Sequence, residues 1–195
     1  MLEEDGYELY KWHTGMKIDA GPWDLCVITI GKVMPVGLWH DVLVPHWQEC
    51  IFSNLTRPFQ LLRQIWPQHN PNATVIWFAG SNPQKIMDGY SAYNTSKMAV
   101  LKLVEQLDEE SKPDCRMIAF GPGYAKTKIH DATLKARWPN ERIARGDDGN
   151  SMEDIYSAMM WCVANRDLAG GRNICVSDIG KDMSGANFGK LRRVE

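Results

Sequence analysis

The sequence lacks any run of about 18 apolar residues, the length a membrane-spanning helix requires. Its opening, Met1 to Tyr10, is acidic and has no apolar stretch, so it does not read as a secretory signal. None of the five cysteines (Cys26, Cys50, Cys115, Cys162, Cys175) belongs to a CxxC pair, and most sit in apolar runs where a free thiol acts as a small hydrophobe. The five histidines form no HExxH or other close pair, and no metal site is expected. A formal net charge of -2 gives no field for gathering nucleic acid or an anionic membrane, so neither is an expected partner. Lys190, Arg192 and Arg193 read as a solvated terminal tail. Glycosylation sequons at Asn54, Asn72 and Asn94 count as chance matches, and a reducing cytoplasm is the expected compartment. No glycine-rich turn stands ahead of Trp23, and no internal repeat is present.

The composition that remains is that of one globular domain over 1–195, with 44% hydrophobic and 24% charged residues. Four short, continuous apolar runs read as buried strands: Leu25 to Ile30, Thr74 to Ala79, Met117 to Phe120 and Ile174 to Val176. Helical patterns lie between them, which implies βαβ units and a doubly wound parallel sheet. The first helix should begin near Pro45 and end before Pro67, with Ile51, Leu55, Phe59, Leu62 and Trp66 on its apolar face. The second should run from about Ala92 to Glu110, with Val100, Leu101, Val104 and Leu107 toward the core. Ser151 and Asp154 approximate a capping box for the last, whose core residues would be Ile155, Met159 and Val163. The segment from Tyr124 to Asn150 is polar and broken, with a short helical stretch from Ala132 to Trp138; it reads as a lid over a site or as a surface loop.

The chemistry centres on Tyr93-Asn-Thr-Ser-Lys97. On a helix, positions four apart share a face, so the Lys97 ammonium can lie near the Tyr93 phenol. Free tyrosine has a pKa near 10. A nearby cation is expected to lower it, which would fit the phenol to exchange a proton with an alcohol or carbonyl. The pair follows an apolar strand, and open parallel sheets bind ligands beyond the carboxyl ends of their strands.

Gly89-Tyr-Ser-Ala-Tyr93-Asn-Thr-Ser-Lys97-Met-Ala-Val resembles the active-site helix of the short-chain dehydrogenase/reductase (SDR) family. Asp24-Leu-Cys-Val-Ile-Thr-Ile-Gly31 resembles the strand that usually ends Asn-Asn-Ala-Gly. Ser53-Asn54-Leu-Thr-Arg-Pro58-Phe59 resembles the helix with the family's active-site asparagine, and Phe120-Gly-Pro122-Gly123-Tyr-Ala-Lys-Thr127 the segment that closes over the nicotinamide. Gly171-Arg-Asn-Ile-Cys-Val resembles the last strand, so the likeness covers 23–178.

The resemblance implies a partial Rossmann-like fold and an NAD- or NADP-dependent oxidoreductase that interconverts an alcohol and a carbonyl. Tyr93 would be the general acid/base, and Lys97 would lower its pKa and bond the nicotinamide ribose. Asn54 would hold a water in the proton relay. Pro58 supports this, because a helical proline frees the carbonyl four residues earlier. Ser81 would hold the substrate oxygen, although it stands twelve residues before Tyr93, slightly closer than is usual. Gly31, Pro122, Gly123 and Thr127 would touch cofactor. A homodimer or homotetramer built through the two long helices is implied.

The chain departs from that pattern at its front. Ile28 replaces an amide side chain, and only 22 residues precede Trp23, fewer than the roughly 30 of one βαβ unit. Tyr7 to Trp12 and Met16 to Asp19 read as remnant strands of this atypical segment (1–22), with Asp19 near the adenine. The first strand and glycine turn are therefore expected to be missing. Either the sequence is a piece of a longer reading frame, or it is a shortened relative, or a partner chain completes the site. The exposed sheet edge would make the monomer poorly stable. A non-catalytic binding or regulatory protein on the same scaffold is the alternative function. A sugar-nucleotide epimerase ranks behind it, since only 98 residues follow Lys97.

Overall fold

The structure is a computed structural model that describes residues 1–9, 11, 21–81, 83–127, 133 and 146–181. Its described strands are β1 (Trp23–Ile28), β2 (His69–Phe78), β3 (Cys115–Gly121) and β4 (Asn173–Cys175). They form one parallel sheet in the order β1-β2-β3-β4. The four apolar runs seen in the sequence are these strands, with β2 and β3 extended at their polar starts.

Between β1 and β2 runs a helical stretch made of α1 (Val44–Ile51), a π-helical segment (Phe52–Thr56) and α2 (Arg57–Ile65). Helix α3 (Ser91–Ser111) links β2 to β3, and α4 (Met152–Ala164) and α5 (Arg166–Ala169) precede β4. Alternation along β2 divides the core. Val75, Trp77 and Ala79 face Leu62 of α2 and Val100, Leu101 and Val104 of α3. Ile76 on the opposite face meets Ile155, Ala158, Met159 and Cys162 of α4. Helices thus cover both faces, as continuous apolar strands require. The capping box is present: Ser151 Oγ accepts from the Asp154 N–H at 3.0 Å, and the Asp154 carboxylate accepts from the Ser151 N–H at 3.4 Å.

Of the expected apolar face on α1 and α2, Leu55, Leu62 and Trp66 pack against the core, but the most buried line differs. Cys50, Asn54, Pro58 and Leu62 are buried, whereas Phe59 is 37% exposed. Hydropathy misses this line because half of it is polar or proline. The π segment was not anticipated, but Pro58 accounts for it: without the proline N–H the helix widens, and the Arg57 N–H donates to the Phe52 carbonyl five residues back.

The remnant strands are not supported. Tyr7 to Leu9 is not a strand, and Met16 to Asp19 lies outside the described residues. Instead Met1 to Tyr7 forms turns that place Leu2 against the α4 side of the core, and the Tyr156 hydroxyl donates to the Asp5 carboxylate.

At the amino ends of the strands, His69 stacks on Trp66 with ring centroids 4.3 Å apart. Its Nδ1 faces the Trp66 carbonyl at 2.6 Å and its Nε2 the Asp114 carboxylate at 2.9 Å. Both ring nitrogens therefore meet acceptors, which suits the imidazolium. Burial opposes the charge, but the bonds to Trp66 and Asp114 outweigh it and raise the pKa above 6.5. This stabilisation is complete below the ordinary value and is lost as pH rises through the higher folded value. Urea midpoints of the wild type should exceed those of His69→Gln by more at pH 5.5 than at pH 8.5; equal gaps at both would refute the assignment.

Candidate active site

The site lies past the carboxyl ends of β1, β2 and β3. Tyr93 and Lys97 occupy the first turns of α3, and the Lys97 Nζ stands 5.9 Å from the Tyr93 ring centroid. Lys97 is only 5% exposed and donates to the Phe78 carbonyl at 2.7 Å. No carboxylate reaches it among the described residues. Burial alone lowers its pKa to about 8, slightly opposed by Cys50. Tyr93 has no side-chain hydrogen bond among the described residues. Burial, and then Cys50, raise its pKa to about 12.

This reverses the expected effect of the lysine on the tyrosine. Spacing brings the ammonium beneath the ring, but its bond goes to a backbone carbonyl, and desolvation favours the neutral form of both groups.

Asn54 is fully buried, and its amide reads both backbone groups of Lys32. Its Oδ1 accepts from the Lys32 N–H at 2.6 Å, and its Nδ2 donates to the Lys32 carbonyl at 2.8 Å and to Ser96 Oγ at 2.8 Å. Ser96 in turn donates to the Tyr93 carbonyl at 2.7 Å. This amide fixes the loop after β1. A methyl group added at Gly31 would stand 3.3 Å from Asn54 Oδ1 and 3.5 Å from Lys97 Nζ. Gly31, Asn54, Tyr93 and Lys97 are thus gathered at one place.

Ser81 belongs to a neighbouring junction. Its Oγ accepts from the Gly123 N–H at 2.6 Å, and its carbonyl accepts from the Cys175 thiol at 3.3 Å. The adjacent Gly80 carbonyl accepts from Asn173 Nδ2 at 3.1 Å. Loops after β2 and β3 and the end of β4 are tied here, which leaves the Ser81 hydroxyl one proton to donate. Close approach explains Gly121, where a Cβ would meet the Ser81 Cα at 2.6 Å. Gly123 has φ +74°, and a Cβ there would collide with Asn150 Nδ2. Gly123→Ala should therefore cost about 1–3 kcal/mol. Chemical unfolding checks this, and an unchanged midpoint with an unchanged slope would contradict it.

Pro122 is held through its carbonyl by Asn150 Nδ2 at 2.7 Å, and the Asn150 N–H donates to the Tyr124 carbonyl at 2.7 Å. An Ala125–Gly149 bridge closes the base of the 124–150 segment. Thr133 is buried and hydrogen-bonds Tyr90, three residues before Tyr93. Most of that segment, with the Ala132 to Trp138 stretch, is outside the described residues. Thr127 is exposed.

Sequence reasoning missed Cys50, Ser96, Lys32 and Asn150. Cys50 is four residues before Asn54 and Ser96 three after Tyr93, both helical-neighbour spacings that point to such contacts.

The family model described as short chain dehydrogenase matches residues 19–138, more than half of the sequence. The chain belongs to the short chain dehydrogenase family. Among similar curated proteins is an acetoacetyl-CoA reductase of Rhizobium meliloti (strain 1021), 26% identical over 155 residues that cover 72% of this chain and 64% of the relative. Another acetoacetyl-CoA reductase, from Paracoccus denitrificans, is 23% identical over 65% of this chain and 58% of its own length. This short chain dehydrogenase family member thus spans less than two thirds of either relative.

Solved structures share its fold. A short chain dehydrogenase/reductase from Saccharomyces cerevisiae superposes with a TM-score of 0.67 at 18% identity, over 83% of this chain and 68% of that one. A putative short chain dehydrogenase from Escherichia coli CFT073, complexed with NADPH, gives 0.67 at 16% identity, over 81% and 64%.

Proposed function

We propose that the chain carries the proton-transfer half of a nicotinamide-dependent oxidoreductase that interconverts a carbonyl and an alcohol. The observation that carries this reading is the gathering of Tyr93, a buried Lys97 without a carboxylate partner among the described residues, Asn54 and Gly31 past the strand ends. Burial keeps the Tyr93 phenol protonated at neutral pH, ready to donate to the oxygen of a carbonyl being reduced, and the same group takes the proton back in the reverse reaction.

The residues fit the nicotinamide-ribose end of NAD or NADP. Gly31 leaves room for close backbone approach beside Lys97, where a Cβ would intrude. Lys97 retains two ammonium protons beyond its bond to Phe78, and these would serve ribose hydroxyls. Pro122 and Gly123, fixed by Asn150 and Ser81, would line the nicotinamide side. Bound there, the cofactor supplies the hydride. Tyr93 then donates its proton to the substrate oxygen, and Ser81 orients that oxygen with its remaining hydroxyl proton. Asn54 holds the floor of the site, and its backbone carbonyl, opposite Pro58, is offered to a relay water.

The relatives' printed names suggest a β-keto thioester as test substrate. The 124–150 segment would act as the lid. Two or four copies would pair through α1–α2 and α3, where Phe59, Leu62, Trp66 and Leu107 line an open cleft.

Two observations favour a non-catalytic binding role instead. The Lys97 bond goes to Phe78 rather than toward the phenol, and Ile28 stands where an amide would serve a cofactor. Mixing the chain with reduced cofactor and an acetoacetyl thioester separates the readings. Loss of nicotinamide absorbance with appearance of the hydroxy product supports the enzyme. Saturable binding without product supports the alternative.

A further inference from the structure

Cys50 and Ser96 have no role in the reaction as described, yet both are fully buried beneath the Tyr93–Lys97 pair. They meet at the Asn54 amide. Its orientation is determined, because Oδ1 accepts from the Lys32 N–H at 2.6 Å and Nδ2 must therefore face the acceptors. Those acceptors are three: the Lys32 carbonyl at 2.8 Å, Ser96 Oγ at 2.8 Å and Cys50 Sγ at 3.4 Å. An amide NH2 has only two protons, so three acceptors share two bonds.

Neither Ser96 nor Cys50 competes as a donor toward Asn54. The Ser96 proton goes to the Tyr93 carbonyl at 2.7 Å, and the Cys50 proton to the Lys32 carbonyl at 3.4 Å. The thiol keeps that proton near neutrality. Burial holds its pKa at about 11, against the pull of Lys32 and Lys97 and the bond from Asn54 and with the opposing push of Glu49. The nearby Tyr93 phenol, pushed up by burial and by Cys50, is neutral as well.

A continuous chain of bonds therefore runs from the Lys32 backbone, beside Gly31, through Asn54 and Ser96 to the backbone of Tyr93. Cys50 braces the same amide from the preceding turn of α1. We propose that Ser96 and Cys50 are paired positioning residues for the proton-transfer site, each able to hold the Asn54 amide when the other is removed. The proposal rests on the oxidoreductase reading for its purpose, but its geometry is testable without turnover. Losing one acceptor leaves two acceptors for two protons. Losing both leaves an Asn54 N–H buried without a partner, which carries the larger desolvation cost.

The test follows hydrogen exchange at the Lys32 amide by NMR in the full chain. Ser96→Ala and Cys50→Ala should each speed exchange by no more than about threefold, and the double variant by about thirtyfold or more, since only it strands a buried donor. Cys50→Ser in the Ser96→Ala background should restore protection close to the wild type. Values of kcat for an acetoacetyl thioester should follow the same order with KM little changed. A double variant equal to the product of the two singles, or unchanged exchange throughout, overturns the proposal. If the double variant does not fold, the Cys50→Ser rescue decides: restored protection supports the pairing and unrestored protection overturns it. Non-additive exchange in a chain without turnover supports the network and overturns the oxidoreductase reading instead.

Discussion

Tyr93→Phe should reduce kcat by about a thousandfold, the loss expected when a positioned proton donor is removed. Only the hydroxyl is deleted, and that hydroxyl holds no other described side chain in place. Melting temperature should therefore stay within a degree or two, and cofactor affinity should be little changed, because Lys97 and Gly31 keep their positions. The wild type should also hold its reducing activity across neutral pH, since the tyrosine titrates far above it, and weaken only as Lys97 loses its proton near pH 8. Steady-state kinetics of the two proteins from pH 6 to 9 check this. Full activity in Tyr93→Phe would end the assignment.

Asn54→Leu should be the most damaging change of similar volume to the fold around the site. Leucine fills nearly the same space but makes none of the bonds to Lys32, Ser96 and Cys50. Ser96 is buried and would keep its bond to Tyr93 but lose its donor. The Lys32 N–H would lose its acceptor, the Lys32 carbonyl would keep only the Cys50 thiol, and the Gly31 loop would no longer be held against Lys97. A loss of about 2–4 kcal/mol in unfolding free energy is expected from the deleted bonds. Denaturant titration measures it, and a loss below about 1 kcal/mol, the net worth of a single ordinary hydrogen bond, would show that the amide is not the anchor of this loop.

Much of the scaffold was legible in the residues. Continuous apolar runs marked the four parallel strands because both faces of the sheet are covered. Val100, Leu101 and Val104 were legible because a helix on a sheet needs one apolar stripe. The α1–α2 stripe was legible in part: Leu55, Leu62 and Trp66 pack against the core, whereas Cys50, Asn54 and Pro58 are buried for bonding and helix geometry rather than for hydropathy. Pro58 announced only the freed Asn54 carbonyl, and the π-helical segment before it was not anticipated. At the site, the Tyr93–Lys97 spacing and Gly31 were readable, as both follow from local geometry and the family pattern. The charge states were not readable from spacing. They depend on how deeply α3 is buried and on where the Lys97 ammonium finds its acceptor, the Phe78 carbonyl on another element. Ser81 was recognisable as a loop serine, but its bond to Gly123 spans 42 positions and has no local signature.

The most direct test of the central claim is a titration of the chain with reduced nicotinamide cofactor, followed by nicotinamide fluorescence, in the wild type and in Lys97→Met. If Tyr93 and Lys97 form the ribose-side half of a dehydrogenase site, fluorescence should rise to saturation with NADH or NADPH in the wild type. Affinity should then drop by about tenfold or more in Lys97→Met, the loss of a charged hydrogen-bond donor. No saturable change with either cofactor, or equal binding by the two proteins, would contradict the account.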